Sequence, residues 1–204
     1  MPAPRLVLAS ASPRRREILQ TLGLAFEIRA ADVDESLVEG ENPYDAAERL
    51  ARGKAACIAE SERGATVIAA DTIVVLDGCA LGKPADREDS LRMLRALSGR
   101  RHEVVTGLAV AWNGNVRSGR DVTGVVFVPM AEEEIRSYAA SGEPDDKAGA
   151  YALQGLGGIF IERVEGSPSN VIGLPVRLLV RLLGEAGIGV PALSGRLSNT
   201  GVVS

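Results

Sequence analysis

A chain of 204 residues with 46% hydrophobic content is long enough for one large domain or two small lobes around an ordinary globular core. Its net charge of −4 and pI near 5.2 argue against a general nucleic-acid or anionic-membrane surface. No apolar run reaches the ~20 residues of a membrane span.

RLVLA (5–9) reads as a short apolar strand that stops at Ser10, and nothing around it has the pattern of a signal peptide. Ser12 as N-cap and Pro13 at the first helical position open a helix that Gly23 closes. Arg14, Arg15 and Arg16 occupy its first turn. There the helix dipole disfavours each cation by roughly 0.3–1 kcal/mol. A strand-to-helix turn aims backbone N–H groups at an anion. Ser10 and Ser12 add hydroxyl donors, and Arg14 and Arg15 add planar charge that grips phosphate oxygens in pairs. A bound polyphosphate would make the arginine cluster favourable. The alternative is a solvated helix start partly neutralised by Glu17. Arg16, turned away from Arg14, reads as surface.

AFEIRA (25–30) alternates like a strand, and the acidic loop DVDES (32–36) follows. Asp32, Asp34 and Glu35 in it are either a metal shell or a solvated loop. Asn42 and Pro43 open a long helix through Ala59 that Gly64 closes. TVIAADTIVVL (66–76) reads as a buried strand ended by the Asp77-Gly78 turn. A buried, unpaired carboxylate is costly, so Asp71 within it is either a structural, hydrogen-bonded aspartate or faces a cleft. In a cleft it can hold Mg²⁺ or take a proton from water. GKP (82–84) is not a Walker loop, because proline follows Lys83 where serine or threonine is required. Lys83, Lys54 in LARGKA and Lys147 in DDKAGAY are single lysines that carry little alone.

Asp86 begins a helix that ends near Ser98-Gly99. HEVVTGLAVAW (102–112) and the stretch 116–128 flank Asn113-Gly114-Asn115 and predict an antiparallel hairpin. His102, the one histidine, argues against a His-built metal site or triad without excluding either. It is a catalytic base or, the favoured reading, a cap on the strand start. Cys57 and Cys79 form no framework or metal spacing and read as reduced thiols of a cytosolic protein. A helix over about 131–140, the glycine-rich AGAYALQGLGG (148–158), a strand IFIERV (159–164) and a helix near 174–186 complete the order. The tail from Val190 to Ser204 is small and polar, and is expected to be poorly ordered. Glycines in 148–158 let backbone approach a ligand. The Gln154 amide matches the adjacent N–H and C=O of a uracil or thymine edge. The alternative is a tight connection with an exposed glutamine. Strands that alternate with helices around a central hairpin predict an α/β fold with a mixed sheet, bent into two lobes around a cleft.

Taken together and in order, LASASPRRREIL, VDES, LARGKA, AADTIVV, LGKP, LSGRRHEVVTG and DKAGAYALQGLGGIFIERVEGSPSNVIGLP resemble the Maf family of nucleotide pyrophosphatases, first described as septum-formation proteins. These motifs cover about residues 6–180. The resemblance implies one domain over 1–189 with a flexible tail over 190–204. It implies a fold related to inosine triphosphate pyrophosphatases, with an elongated mixed β-sheet flanked by helices, two lobes and a deep cleft. The implied reaction converts a nucleoside triphosphate and water to the monophosphate and pyrophosphate with a divalent cation, Mg²⁺ or Mn²⁺. By motif, Asp71 is the expected proton acceptor, with Lys83 and Glu35 as catalytic partners and Asp71 and Glu35 as metal ligands. Ser10, Arg14, Arg15, Lys54, Thr72, Lys147 and Gln154 are expected on the substrate, and specificity is expected at Arg14, Thr72 and Gln154.

AYALQGLGG is similar to the dTTP/UTP branch, whereas the branch acting on 7-methyl-GTP carries an S-E-like pair where this chain has Leu153-Gln154. Pro168 in GSPSN departs from the aromatic that many dTTP/UTP members carry. A cytoplasmic homodimer with no nucleic-acid or membrane partner is the implied setting. The competing readings are a 7-methyl-GTP pyrophosphatase and a nucleotide-binding regulator of cell division without turnover.

Overall fold

The structure is a computed structural model that describes residues 4–193. One mixed sheet runs through it. Its strands are β1 (Leu6–Leu8), β2 (Glu27–Ile28), β3 (Thr66–Leu76), β4 (Cys79–Leu81), β5 (Arg101–Trp112), β6 (Asn115–Phe127) and β7 (Ile161–Glu165). Their order is β2-β1-β3-β5-β6-β7, with β4 paired to β3. β1 lies parallel to β2 and β3, and all other pairs are antiparallel. The helices are α1 (Pro13–Thr21), α2 (Pro43–Ser61), α3 (Arg87–Leu97), α4 (Glu132–Ala140), α5 (Pro168–Ile172) and α6 (Val176–Glu185). Among the described residues, no helix is long and apolar enough to cross a membrane.

The alternation of β3 sorts the core. Val67, Ala69, Ile73 and Val75 face α2, where Ala46, Ala47, Ala51 and Ala55 pack on them. Ile68 and Ala70 face Leu19 of α1 and Leu179, Leu182 and Leu183 of α6. Val74 and Leu76 continue that opposite face into a cluster with α3, α4 and Phe127. Small residues let α2 sit close. Gly107 of β5 lies directly beneath it, and a Cβ there would collide with the Ala47 carbonyl. The β5–β6 turn uses Asn113 and Gly114, both at positive φ (47° and 76°), as a two-residue hairpin turn requires.

Several boundaries differ from expectation. The strand expected over 25–30 shrinks to Glu27–Ile28, because β1 beside it is only three residues long and offers two pairing positions. The strand expected from Ile159 begins at Ile161. Leu156–Phe160 forms a 3₁₀ turn that buries Phe160 and leaves Ile159 70% exposed. The short helix α5 was not foreseen, since five residues are too few to show a period, whereas β4 is the return arm of the hairpin that the Asp77-Gly78 turn makes with β3. Of the expected tail, Val190 is buried with the α6 cluster and Pro191–Leu193 forms a 3₁₀ turn, while 194–204 lie outside the described residues. His102 is the second residue of β5, and its ring interacts with the Arg100 backbone at the strand start, in keeping with the cap expected there. It is 2% exposed inside β5, its Nε2 2.8 Å from the Tyr151 hydroxyl and its ring edge-on to Phe127. Burial pulls its pKa down to about 4, so it is neutral at pH 7 and unsuited to holding charge.

Candidate active site

Sheet topology creates the site. Ile68 is the last β3 residue paired to β1, and Val74 is the first paired to β4. Between them, residues 69–73 have no strand neighbour on that side. α1 leaves β1 on one face of the sheet and α2 precedes β3 on the other, so a crevice forms at the carboxyl end of β1. A pocket of about 520 Å³ opens there, within the range of small-ligand sites. The ten residues expected from the family motifs at catalytic, metal or substrate positions all line it: Ser10, Arg14, Arg15, Glu35, Lys54, Asp71, Thr72, Lys83, Lys147 and Gln154. Five cationic side chains stand against three carboxylates, the third being Asp146. In a chain of net charge −4, this is a locally positive cavity suited to a polyanion.

Asp71 and Thr72 are neighbours on β3 and point to opposite faces. Asp71 pairs across to Gly107, whose missing side chain lets α2 approach. Lys54 of α2 therefore reaches Asp71, with Nζ 2.5 Å from Oδ1. The same ammonium lies 2.6 Å from Glu35 Oε1, and Lys54 is 7% exposed. Both alternatives for Asp71 are thus realised together, since it is paired and it faces the pocket. Lys54 holds the Glu35 carboxyl below the usual range, with Lys83 and Arg15 adding smaller pulls in the same direction.

Among the described residues, Asp71 Oδ2 and Glu35 Oε2 have no hydrogen-bond partner, and no group of three or more His, Cys, Asp and Glu gathers as a metal cage. Two hard carboxylate oxygens beside a phosphate-sized cavity fit a divalent cation that takes its remaining ligands from substrate and water. Asp32 and Asp34 do not join them. Asp34 accepts from the Ser36 N–H within its own loop, and both are exposed.

The other face is a closed hydrogen-bond chain. The Arg15 guanidinium donates to the Gly173 carbonyl (2.8 Å), to Ser10 Oγ (3.0 Å) and to Thr72 Oγ1 (3.1 Å). Thr106 Oγ1 donates to the Asn170 carbonyl (2.9 Å), so the 3.0 Å contact between the two threonines is donated by Thr72. Thr72 therefore receives from Arg15 and gives to Thr106. Ser10 Oγ accepts from Arg15 and from the Ser12 N–H (3.2 Å), which leaves its own proton free for the pocket. Arg15 is a bracket tying α1 to α5 and β3 as much as a phosphate ligand. Burial pulls its pKa down against the pull of Asp71, and an arginine remains cationic regardless. Arg14, half-buried, makes no hydrogen bond or ion pair among the described residues, whereas Arg16 is exposed and outside the lining, as expected of surface.

Lys83 and Lys147 sit on loops joined by a bond from the Gly149 N–H to the Gly82 carbonyl (2.9 Å). Lys147 pairs with Asp146, and Lys83 is exposed. Gln154 is exposed and without a partner among the described residues, on the loop that follows Tyr151. Sequence reasoning missed Asp146 and Tyr151 as lining residues. It also missed Glu143 and Tyr138, which hold the Gln154 loop from behind. An acid in a loop and an aromatic on a helix carry no pattern that marks them.

Comparison with known proteins adds the family. The family model for Maf-like proteins matches residues 5–186. A dTTP/UTP pyrophosphatase of Anaeromyxobacter dehalogenans (strain 2CP-C) is 52% identical over 193 residues, covering 93% of this chain and 97% of that protein. One from Geobacter sulfurreducens (strain ATCC 51573 / DSM 12127 / PCA) is 49% identical, covering 90% and 97%. Among solved structures, the Staphylococcus aureus Ham1 protein superposes with a TM-score of 0.52 at 17% identity, covering 89% of this chain and 97% of that one. That last likeness shows a shared fold.

Proposed function

The chain belongs to the Maf-like protein family, and from that membership we propose that it hydrolyses dTTP and UTP to the nucleoside monophosphate and pyrophosphate. The observation that carries the mechanism is the Asp71–Lys54–Glu35 cluster, which leaves one carboxylate oxygen of each acid open to a positively lined pocket.

Arg14, Lys83 and Lys147 and the free Ser10 proton bind and orient the triphosphate, whose charge concentrates as the α–β anhydride breaks. Asp71 takes the proton of the attacking water at Oδ2, while Lys54 fixes its other oxygen. The ammonium between Asp71 and Glu35 also offsets the repulsion between these two like charges. Asp71 and Glu35 would hold Mg²⁺ or Mn²⁺. A divalent cation there neutralises phosphate charge and acidifies water. No covalent nucleophile is required, and among the described residues the hydrogen-bond partners of Ser10 Oγ are Arg15 and the Ser12 N–H, neither of which is a base. Gln154 offers its amide pair to the pyrimidine edge. Thr72 acts on specificity through Arg15, because its hydroxyl is already committed on both sides. We further propose a cytoplasmic homodimer, tested by a solution mass of twice the chain's 21.4 kDa.

Pyrophosphate release is measured on a panel of UTP, dTTP, CTP, GTP and 7-methyl-GTP with Mg²⁺ and Mn²⁺. The expected result is turnover with UTP and dTTP foremost. Tight binding with release no faster than the Asp71→Asn variant would make the chain a nucleotide binder instead. Preference for 7-methyl-GTP would overturn the role of Gln154.

A further inference from the structure

Gln154, which the proposed function assigns to the base, has no hydrogen bond of its own among the described residues. Its direction is therefore set by the backbone on either side. Both sides are tied to the same pair of side chains. Upstream, the Ala152 N–H donates to the Tyr138 hydroxyl (3.3 Å). Downstream, the Leu156 N–H donates to Glu143 Oε2 (2.9 Å) and the Gly157 N–H to Glu143 Oε1 (2.9 Å). Tyr138 in turn donates its hydroxyl proton to Glu143 Oε1 (2.8 Å), which closes the pair. The loop is moulded onto this clamp. Gly155 stands at φ 126°, where a Cβ would come 2.5 Å from Glu143 Oε2, and a Cβ on Gly157 would strike the Tyr138 hydroxyl. Burial alone would raise the Glu143 pKa, but the two backbone N–H groups and Tyr138 outweigh it and hold it below the usual range. The clamp is thus charged at neutral pH. Glu143 itself does not line the pocket.

We propose that Glu143 is the positioning residue for base selection, its carboxylate fixing the 152–157 loop so that Gln154 meets the pyrimidine edge. This rests on the assignment of Gln154 to the base. Glu143→Gln is isosteric, but an amide has one accepting oxygen, and its NH₂ must face one of the backbone N–H groups. A loosened loop costs binding of the base and leaves the phosphate chemistry in place. The expected result is a KM for UTP raised about tenfold, kcat within about threefold, and a UTP-over-CTP preference in kcat/KM reduced about tenfold. A purely structural role would instead lower kcat for UTP and CTP alike, along with the melting temperature, at unchanged preference.

Gln154→Ala is measured beside it. If Gln154→Ala retains the UTP preference, the base assignment fails and the inference with it. If Gln154→Ala removes the preference while folded Glu143→Gln keeps KM and preference within twofold of the parent, the role of Glu143 alone is overturned. In the double variant the preference should fall no further than in Gln154→Ala, because the two residues act through one contact. Should Glu143→Gln fail to fold, Tyr138→Phe decides. It removes one donor to Glu143 and the acceptor for Ala152, and it should raise the UTP KM about threefold. An unchanged KM would overturn the proposal.

Discussion

Asp71 and Thr72 are adjacent in sequence and stand on opposite faces of one strand, and the surroundings of the two differ in kind. On the α2 face, three charged groups share two short contacts and, among the described residues, leave an oxygen of each acid unbonded. On the other face, Arg15, Ser10, Thr72, Thr106 and the Asn170 carbonyl form a chain in which nearly every donor has its acceptor. The open face has capacity left for a proton and a cation. The closed face has used its capacity to fix where α1 begins. A pocket that handles a flexible triphosphate needs both, because unspent bonding does chemistry only where something spent holds it still.

The largest expected effect is on the open face. Asp71→Asn keeps shape and volume but loses the proton acceptor, and a general base contributes typically 10²–10⁴-fold. Pyrophosphate release should fall by about that factor, with circular dichroism and the melting curve showing a folded chain. If Asp71→Asn unfolds the chain instead, the Lys54 pair is chiefly structural and the contrast between the faces collapses. Next comes the geometry beneath that pair. Gly107→Ala puts a Cβ into the backbone of α2. Overpacking of this sort costs about 1–3 kcal/mol or more, and each kcal/mol lowers Tm by roughly 2–4 °C at this size. Because the helix must lift, turnover should fall further than Tm alone explains. A variant with lowered Tm and full activity at low temperature would show that Lys54 reaches Asp71 without the close approach.

Arg14 and Arg15 sharpen the comparison within a single helix turn. Arg15→Lys gives up a fork of three bonds that a lysine cannot reproduce, and about 2 kcal/mol of stability should go with it. Arg14→Ala removes a cation from a helix start where the dipole disfavours it, so stability should change by no more than about 0.5 kcal/mol. Its effect should be an increase of about tenfold in KM for UTP, as expected for one lost charge-assisted phosphate contact. Thermal melting and steady-state kinetics on both variants separate the roles. Equal losses of stability would mean that Arg14 has a partner in the closed chain after all.

These two arginines also mark what was legible in the sequence. Their sign at a helix N-terminus announced an anion, and the strand-to-helix turn located it. Nothing in RRR told the bracket from the ligand, because that depends on where α5 returns 158 residues later. Asp71 was visible because a carboxylate in an apolar strand demands an explanation. Its partner was not, because Lys54 meets it only through the close crossing at Gly107, a contact between α2 and β5. The Asn-Gly hairpin and the long helix were plain from local chemistry. β2 was overread because its length is set by β1 rather than by its own alternation. Glu143 left no mark at all, since its importance lies in the backbone it holds.

The smallest expected effect tests whether the two faces differ in their response to acid. Lys54 holds the folded pKa of Glu35 below its ordinary value of 4.5. A depressed carboxylate contributes stability that is present above the unfolded value and is lost as pH falls through the folded one. The pair therefore helps the folded chain fully at pH 6–7 and fades below 4.5. Glu35 is about half-exposed, so water and salt weaken the contact and the shift in Tm should be small. Glu35→Gln should melt slightly below the parent at pH 7, and the gap should close as the pH is taken below 4.5. On the closed face, Arg15 stays charged throughout, and its acceptors Ser10, Thr72 and the Gly173 carbonyl do not titrate. The gap between Arg15→Lys and the parent should accordingly hold steady over the same range. A Glu35→Gln gap that stays constant down to pH 3 would mean that Lys54 draws its stabilisation from Asp71 alone, and Glu35 would then be left to the cation and the substrate.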